Sequence, residues 1–215
     1  MKILWPFFKS KRTEVARSQV NGPLSVGESY GYKTLFAGDI PQSGGEFVFM
    51  WNKVLAGLKQ SNQAVNNALV LGVGTGTAVL SITKLFPKAN ITGIDLDPAI
   101  IDVAKVHFGL KTSKLFHIHI TDATVWVKEK KNHKKYDLVV VDLFIGALNP
   151  PSARTRGFLK NLKNLLTADG KIIYNSQYQK NDPNEYQRLH KDCSKTFSSV
   201  KEIFSYPLNR VLELT

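Results

Sequence analysis

The chain has 215 residues, 43% of them hydrophobic and 21% charged, with a single cysteine and a formal net charge of +12. That length suits one domain with a full hydrophobic core and a small appendage, and the lone Cys193 excludes an internal disulfide or a cysteine zinc cluster. No apolar run approaches the roughly 20 residues that cross a bilayer, so a cytoplasmic protein without a transmembrane segment is expected.

The chain opens on MKILWPFFKSKR, too short in its apolar stretch for a secretion signal. Leu4, Trp5, Phe7 and Phe8 among lysines read as a frayed arm or a surface packed on a partner subunit, with a membrane surface as the alternative. Residues 1–17 carry five Lys/Arg against one Glu, and KEKKNHKK at 128–135 carries five lysines against one Glu. Aromatics are not interleaved with these lysines as a base-stacking platform requires. Solvated surface is therefore favoured over nucleic acid as the use of this charge.

Residues 22–45 hold short apolar pieces broken by Gly22, Gly27, Gly31, Gly38, Gly44 and Gly45, which predicts a small β-hairpin or two. Phe47, Met50, Trp51, Val54, Leu55 and Leu58 then recur at helical spacing from Glu46 to Leu58. Residues 1–58 form the front segment in this reading, and 59–215 the main domain. Strands are predicted at Ala68–Val73, Asn90–Asp95, Leu115–Ile120, Asp137–Val141 and Lys171–Asn175. Helices fall between them: Thr77 to Phe86, a helix opened by Asp97-Pro98, one capped by Thr121-Asp122 and running to Lys130, and one carrying Phe158, Leu159, Leu162, Leu165 and Leu166. A helix over Pro183–Thr196 and a closing strand pair, Val200–Phe204 with Arg210–Leu214, complete a doubly wound, seven-stranded, Rossmann-like α/β sheet.

The most informative stretch is ALVLGVGTGTAVLSITKLFPKANITGIDLDP at 68–98. Strand, glycine turn, helix, strand and acid follow in order, which is half of a nucleoside-binding sheet. Glycines let the turn take positive φ and bring backbone N–H groups close to a ligand. Asp95 lies 19 residues beyond Gly76, close to the ~20 expected of a ribose-binding acid. The pattern is G-x-G-x-G, without the third glycine of the dinucleotide fingerprint and without a P-loop lysine. It suits adenosine joined to a sulfonium better than a phosphate ligand. Gly74, Asp95, Asp122 and Asp142 all fall at or just past predicted strand ends, where such sheets bind ligands.

LGVGTGTAVL, ITGIDLDP, ITDATVWV and YDLVVVDLF resemble the class I S-adenosylmethionine-dependent methyltransferases over roughly residues 64–215. TLFAGDIPQSGGEF and the stretch from VDLF through NPPSARTRGFLKNLKNLLTADGKIIYN are similar to the spermidine synthase (polyamine aminopropyltransferase) family within that fold. The resemblance implies S-adenosylmethionine or its decarboxylated form as co-substrate, a small acceptor such as an amine, no metal, and a homo-oligomer, a dimer. It implies that Gly72, Gly74 and Gly76 surround the methionine-derived part, that Asp95 with Leu96 takes the ribose, that Asp122 with Ala123 meets the adenine edge, and that Gln42 reaches the nucleoside. Asp142 matches the first aspartate of a D-x-x-D catalytic motif, whose second position is Ile145 here. Thr75 replaces the family's usual loop acid, and Phe47 and Phe49 stand where a tyrosine is common. The implied activity is transfer of an aminopropyl group. Methyl transfer to RNA, protein or a small molecule, or nucleoside binding without catalysis, are the alternatives.

Other residues invite lesser readings. His117 and His119 share one strand face, read as half-buried packing rather than a metal site. His190 and Cys193 read as core, Tyr174, Asn175 and Tyr178 as acceptor-pocket lining, and Arg154 and Arg156 as gating residues or anion contacts or simply helix caps.

Overall fold

Two β-sheets organise the chain in this computed structural model, which describes residues 12–29, 31–129, 134–177, 182, 184–206 and 209–215. The front sheet is antiparallel and sequential: β1 (Thr13–Ser18), β2 (Gly22–Ser29), β3 (Tyr32–Ala37) and β4 (Ile40–Gly44). It is larger than the hairpins expected from residues 22–45, because β1 comes from the segment read as a charged arm. β1 joins through tertiary contact: Val15 and Ala16 pack with Leu24, Leu35, Ile100 and Val103 in a separate small core. The aromatic cluster before it, Leu4 to Phe8, lies outside the described residues.

The main sheet follows α1 (Glu46–Gln60). Its elements are β5 (Asn67–Leu71), α2 (Thr77–Leu85), β6 (Asn90–Asp95), α3 (Pro98–His107), β7 (Phe116–Ile120), α4 (Ala123–Trp126), β8 (Tyr136–Val141), α5 (Arg156–Asn164), β9 (Leu166–Gln177), α6 (Asn184–Ser194), β10 (Val200–Ser205) and β11 (Asn209–Leu214). Strand order is β10-β11-β9-β8-β5-β6-β7. The five strands β5 to β9 pair in parallel, and β11 runs antiparallel to both β9 and β10. This is the seven-stranded doubly wound sheet expected. The chain runs outward from β5 to β7, then returns to β8 on β5's other side. That reversal opens a crevice beyond the carboxyl ends of β5 and β8.

Burial follows the two-sided pattern of a parallel sheet. Ala68 and Val70 of β5 pack under α1 and α2, with Met50, Trp51, Val54 and Ile82. Leu69 and Leu71 face the opposite layer, with Trp126, Phe158, Leu162 and Leu189. Each such fully buried aliphatic side chain contributes about 1.5–3 kcal/mol. Sequence grouped α1 with the front segment, and in the folded chain its apolar stripe joins the core of the main sheet.

Two elements differ from expectation. α4 is one turn long and ends at Trp126 rather than Lys130, which lies outside the described residues. Trp126 and Val127 both turn into the core, and the lysine-rich residues beyond supply no apolar face to extend the helix. β9 starts at Leu166, with an irregular register against β8 between Tyr136 and Leu138. Gly170 permits that irregularity, since a Cβ there would lie 2.7 Å from the Tyr136 carbonyl.

Candidate active site

The glycine loop leaves β5 with Gly72, Gly74 and Gly76 at φ of +88°, +55° and +88°. Gly72 has a second constraint: a Cβ would run into the backbone carbonyl of Asp142. The loop is thus pressed against the end of β8, and its N–H groups turn toward β6. The Asp95 carboxylate receives them. Its Oδ2 accepts from Val73 N and Gly74 N, each at 2.9 Å, and its Oδ1 accepts from Asp97 N at 2.9 Å. An ionised carboxylate has about four acceptor positions, so three are filled and one on Oδ1 is left for a ligand hydroxyl. Asp95 is 8% exposed, and burial raises its pKa against the lowering by these three bonds.

Leu96, next in the chain, is exposed and stands beside this carboxylate. Thr121 N donates to the Asp95 carbonyl at 2.8 Å, which brings the start of α4 alongside. There Asp122 is an N-cap: its Oδ1 accepts from Thr124 N at 2.6 Å and Thr124 Oγ1 at 2.8 Å, while Ala123 is buried. Thr75 of the same loop is buried and hydrogen-bonded to Ser43 Oγ at 2.8 Å and Thr77 Oγ1 at 3.2 Å.

Asp142 stands one residue past β8. Its Oδ1 accepts from Asn175 Nδ2 at 2.8 Å, and its Oδ2 accepts from Trp51 Nε1 at 3.1 Å. Burial pushes its pKa up to about 6; the bonds from Asn175 and Trp51 oppose this, and the charge of Asp95 adds to it. Two carboxylates in one crevice therefore both resist ionisation, and a cation between them would relieve both. Trp51 is the residue that sequence reading missed here. On the apolar stripe of α1 it reads as core, and only tertiary placement gives its indole N–H a carboxylate.

The loop after β8 is held down from several sides. Gln42 Nε2 donates to Gly146 O at 2.9 Å, so Gln42 meets this loop from the front sheet. Asn149 Nδ2 donates to Leu143 O and Asn175 O, and Arg154 binds Asn149 Oδ1, the Gln177 carbonyl and Glu185. Ile145, three residues beyond Asp142, is 46% exposed. Arg154 thus locks the loop from inside rather than meeting an acceptor, and Arg156 is exposed on α5.

Tyr174 is fully buried and donates to Ala153 O at 2.9 Å, so it packs under the loop instead of lining a pocket. Tyr178 lies outside the described residues. His117 and His119 are exposed, not half-buried, on β7, the outermost strand of the main sheet among the described residues. Cys193 is buried in the core as expected, and His190 tilts against Tyr186 at 6.0 Å between ring centres.

Sheet order and glycine crevice together define a Rossmann-like α/β domain of the methyltransferase fold. Within that class, the chain belongs to the spermine/spermidine synthase domain family, whose sequence model matches residues 49–210. A polyamine aminopropyltransferase of Vibrio vulnificus is 30% identical over 123 residues, 57% of this chain and 41% of that protein. An eEF1A lysine and N-terminal methyltransferase of Bos taurus is 32% identical over 116 residues, 50% of this chain and 17% of that protein. The chain therefore spans less than half the length of these curated relatives. A probable spermidine synthase from Corynebacterium glutamicum superposes with TM-score 0.76 at 17% identity, covering 96% of this chain and 80% of that one. Human methyltransferase-like protein 13 in complex with SAH superposes with TM-score 0.64 at 21% identity, covering 79% of each chain. At these identities the superpositions speak for the fold.

Proposed function

We propose that the chain binds an adenosyl sulfonium co-substrate, S-adenosylmethionine or its decarboxylated form, and transfers an alkyl group from it to a small amine acceptor. The observation that carries this reading is the position of Asp142. Its carboxylate is fixed by two donors, has a pKa near 6, and stands against a glycine loop stiffened by a second carboxylate. Family membership supports the same chemistry, and aminopropyl is the first group to test.

In the proposed reaction the acceptor's lone pair forms a bond to the carbon next to sulfur, while the C–S pair leaves with the sulfur as a neutral thioether. The leaving group is already activated, so the protein's tasks are alignment and proton removal. Asp142 takes the proton from the attacking amine. Asp95, with Leu96 beside it, holds one ribose hydroxyl through its remaining lone pair, Asp122 and Ala123 meet the adenine edge, and Gly72 to Gly76 present backbone toward the sulfonium. Gln42 acts at one remove, through its bond to Gly146. The sulfonium charge lowers the pKa of both carboxylates on entering, which readies Asp142 to accept a proton near neutral pH.

Methyl transfer is the second reading. Ile145 and Thr75 favour it, because both replace family carboxylates with neutral side chains and so reduce the negative charge offered to an amine. Mass spectrometry of products decides between the two, with each co-substrate supplied alongside putrescine. Aminopropylated product supports the first reading and methylated product the second. No transfer from either co-substrate would sink both, and transfer by Asp142→Asn at the wild-type rate would remove Asp142 as the proton acceptor.

A further inference from the structure

A second concavity, of about 310 Å³, borders the glycine turn, and neither Asp95 nor Asp142 lines it. One face of α2 supplies a wall through Thr77, Leu80, Ser81 and Lys84, which recur at helical spacing. Val48 and Asn52 of α1 stand opposite, and Ser81 Oγ bridges the two helices by donating to Asn52 Oδ1 at 2.8 Å. Tyr32 and Lys33 of β3 and Phe108 at the end of α3 complete the rim. Gly44 keeps it open: at φ +80°, a Cβ there would strike the Lys33 carbonyl and press on the Phe108 ring. The volume lies at the low end of the roughly 300–1,000 Å³ of small-molecule pockets, enough for one ring with a polar head.

Its polar groups carry one sign. Lys33 and Lys84 both line it and no carboxylate does, and β3, β4 and α2 contain no acid at all. Lys33 is positioned by donating to the His107 carbonyl at 2.8 Å, which leaves two of its three N–H bonds for other acceptors. Lys84 has no ion pair among the described residues. Two cations sharing so small a space repel one another, and an anion between them relieves both. Thr75, Thr77 and Ser81, at 2%, 7% and 4% exposure, add buried hydroxyls to the floor. The remaining surface is apolar: Leu80 is 51% exposed beside Val48 and Phe108, an uncovered hydrophobic wall next to the charges.

We infer that this concavity binds a small organic oxyanion with a flat apolar body, its head held by Lys33 and Lys84 and its body laid against Leu80, Val48 and Phe108. The head is a phosphate or a carboxylate, which share the required charge and acceptors. This site is independent of the transferase reading, and neither needs the other to hold.

The test is calorimetric titration of phenyl phosphate, benzoate, phenol and inorganic phosphate into the full chain, with and without excess methylthioadenosine. Phenyl phosphate or benzoate is expected to bind at least about tenfold more tightly than both phenol and inorganic phosphate, because head and body each contribute. The tighter of the two identifies the head. Methylthioadenosine should leave that affinity unchanged. Lys84→Gln, on an exposed position, should weaken it at least about fivefold, and Leu80→Asp, which sets a carboxylate on the apolar wall, should abolish it. Absence of binding by either aryl anion overturns the inference, as does phenol or inorganic phosphate binding equally well. Displacement by methylthioadenosine would assign the anion to the glycine-loop crevice instead, and an affinity untouched by Lys84→Gln would place it elsewhere on the surface.

Discussion

Replacing Asp142 by Asn isolates the electrostatic cost of the crevice. In the folded chain this carboxyl titrates near 6, against about 3.9 when unfolded. The folded pKa is raised, so below about pH 4 the group is neutral in both states and adds no penalty. Between about pH 4 and 6 the folded state binds more protons, and stability falls as pH rises. Two pKa units correspond to about 3 kcal/mol, fully present above pH 6. Asn has no such titration. Neutral Asp and Asn each offer one strong acceptor to the pair Asn175 and Trp51, so the two proteins should be nearly matched at pH 4. At pH 7.5 the variant should be the more stable by about 3 kcal/mol relative to that baseline. Urea denaturation of both proteins at the two pH values gives the double difference, which cancels every titrating group not coupled to Asp142 and carries the Asp95 coupling within it. A double difference within about 0.5 kcal/mol of zero would refute the assigned burial of Asp142.

Further expectations come from single contacts. Trp51→Phe keeps the packing but removes a donor to the ionised carboxylate, so the Asp142 pKa should rise by about one unit or more. Carbon-detected NMR titration of Asp142 reads this directly, and an unmoved midpoint would remove Trp51 from the site. Asp95→Ala leaves three backbone N–H groups without their acceptor and should abolish calorimetric binding of S-adenosylmethionine; full retained affinity would rule out the ribose assignment. Gly72→Ala combines a φ of +88° with a collision against the Asp142 carbonyl, and should cost more than about 2 kcal/mol in denaturation. A smaller loss would show that the loop relaxes there.

The main sheet was legible because its signals are local. Apolar runs such as LVVVD, the Asp97-Pro98 cap and glycines at the end of β5 each act within a few residues, and β6 falls on the expected residues 90–95. β1 was not legible, since a charged six-residue stretch becomes a strand only by pairing with β2 and packing on α3. The glycine loop and Asp95 could be placed in the sequence, but not the use of that carboxylate as acceptor for Val73 and Gly74. Tyr174 shows the same limit. Its place at the end of a strand reads as pocket lining, yet its hydroxyl meets Ala153 because the loop folds back under the sheet edge. Trp51 and Asn175 gain their interest from Asp142, 91 and 33 positions away in sequence.

The front sheet lies ahead of the segment matched by the family, yet it touches the crevice at three points. Ser18 and Asn21 both donate to Asp97 Oδ2, Gln42 holds the Gly146 carbonyl, and Ser43 bonds Thr75. Cutting the chain between β4 and α1 would strip the helix cap beside Asp95, the loop beyond β8 and the glycine turn of a partner each. A chain cut there, about one fifth of the way along the polypeptide, would keep the two apolar layers of the main sheet while losing these three contacts and the small core that α3 shares with the front sheet.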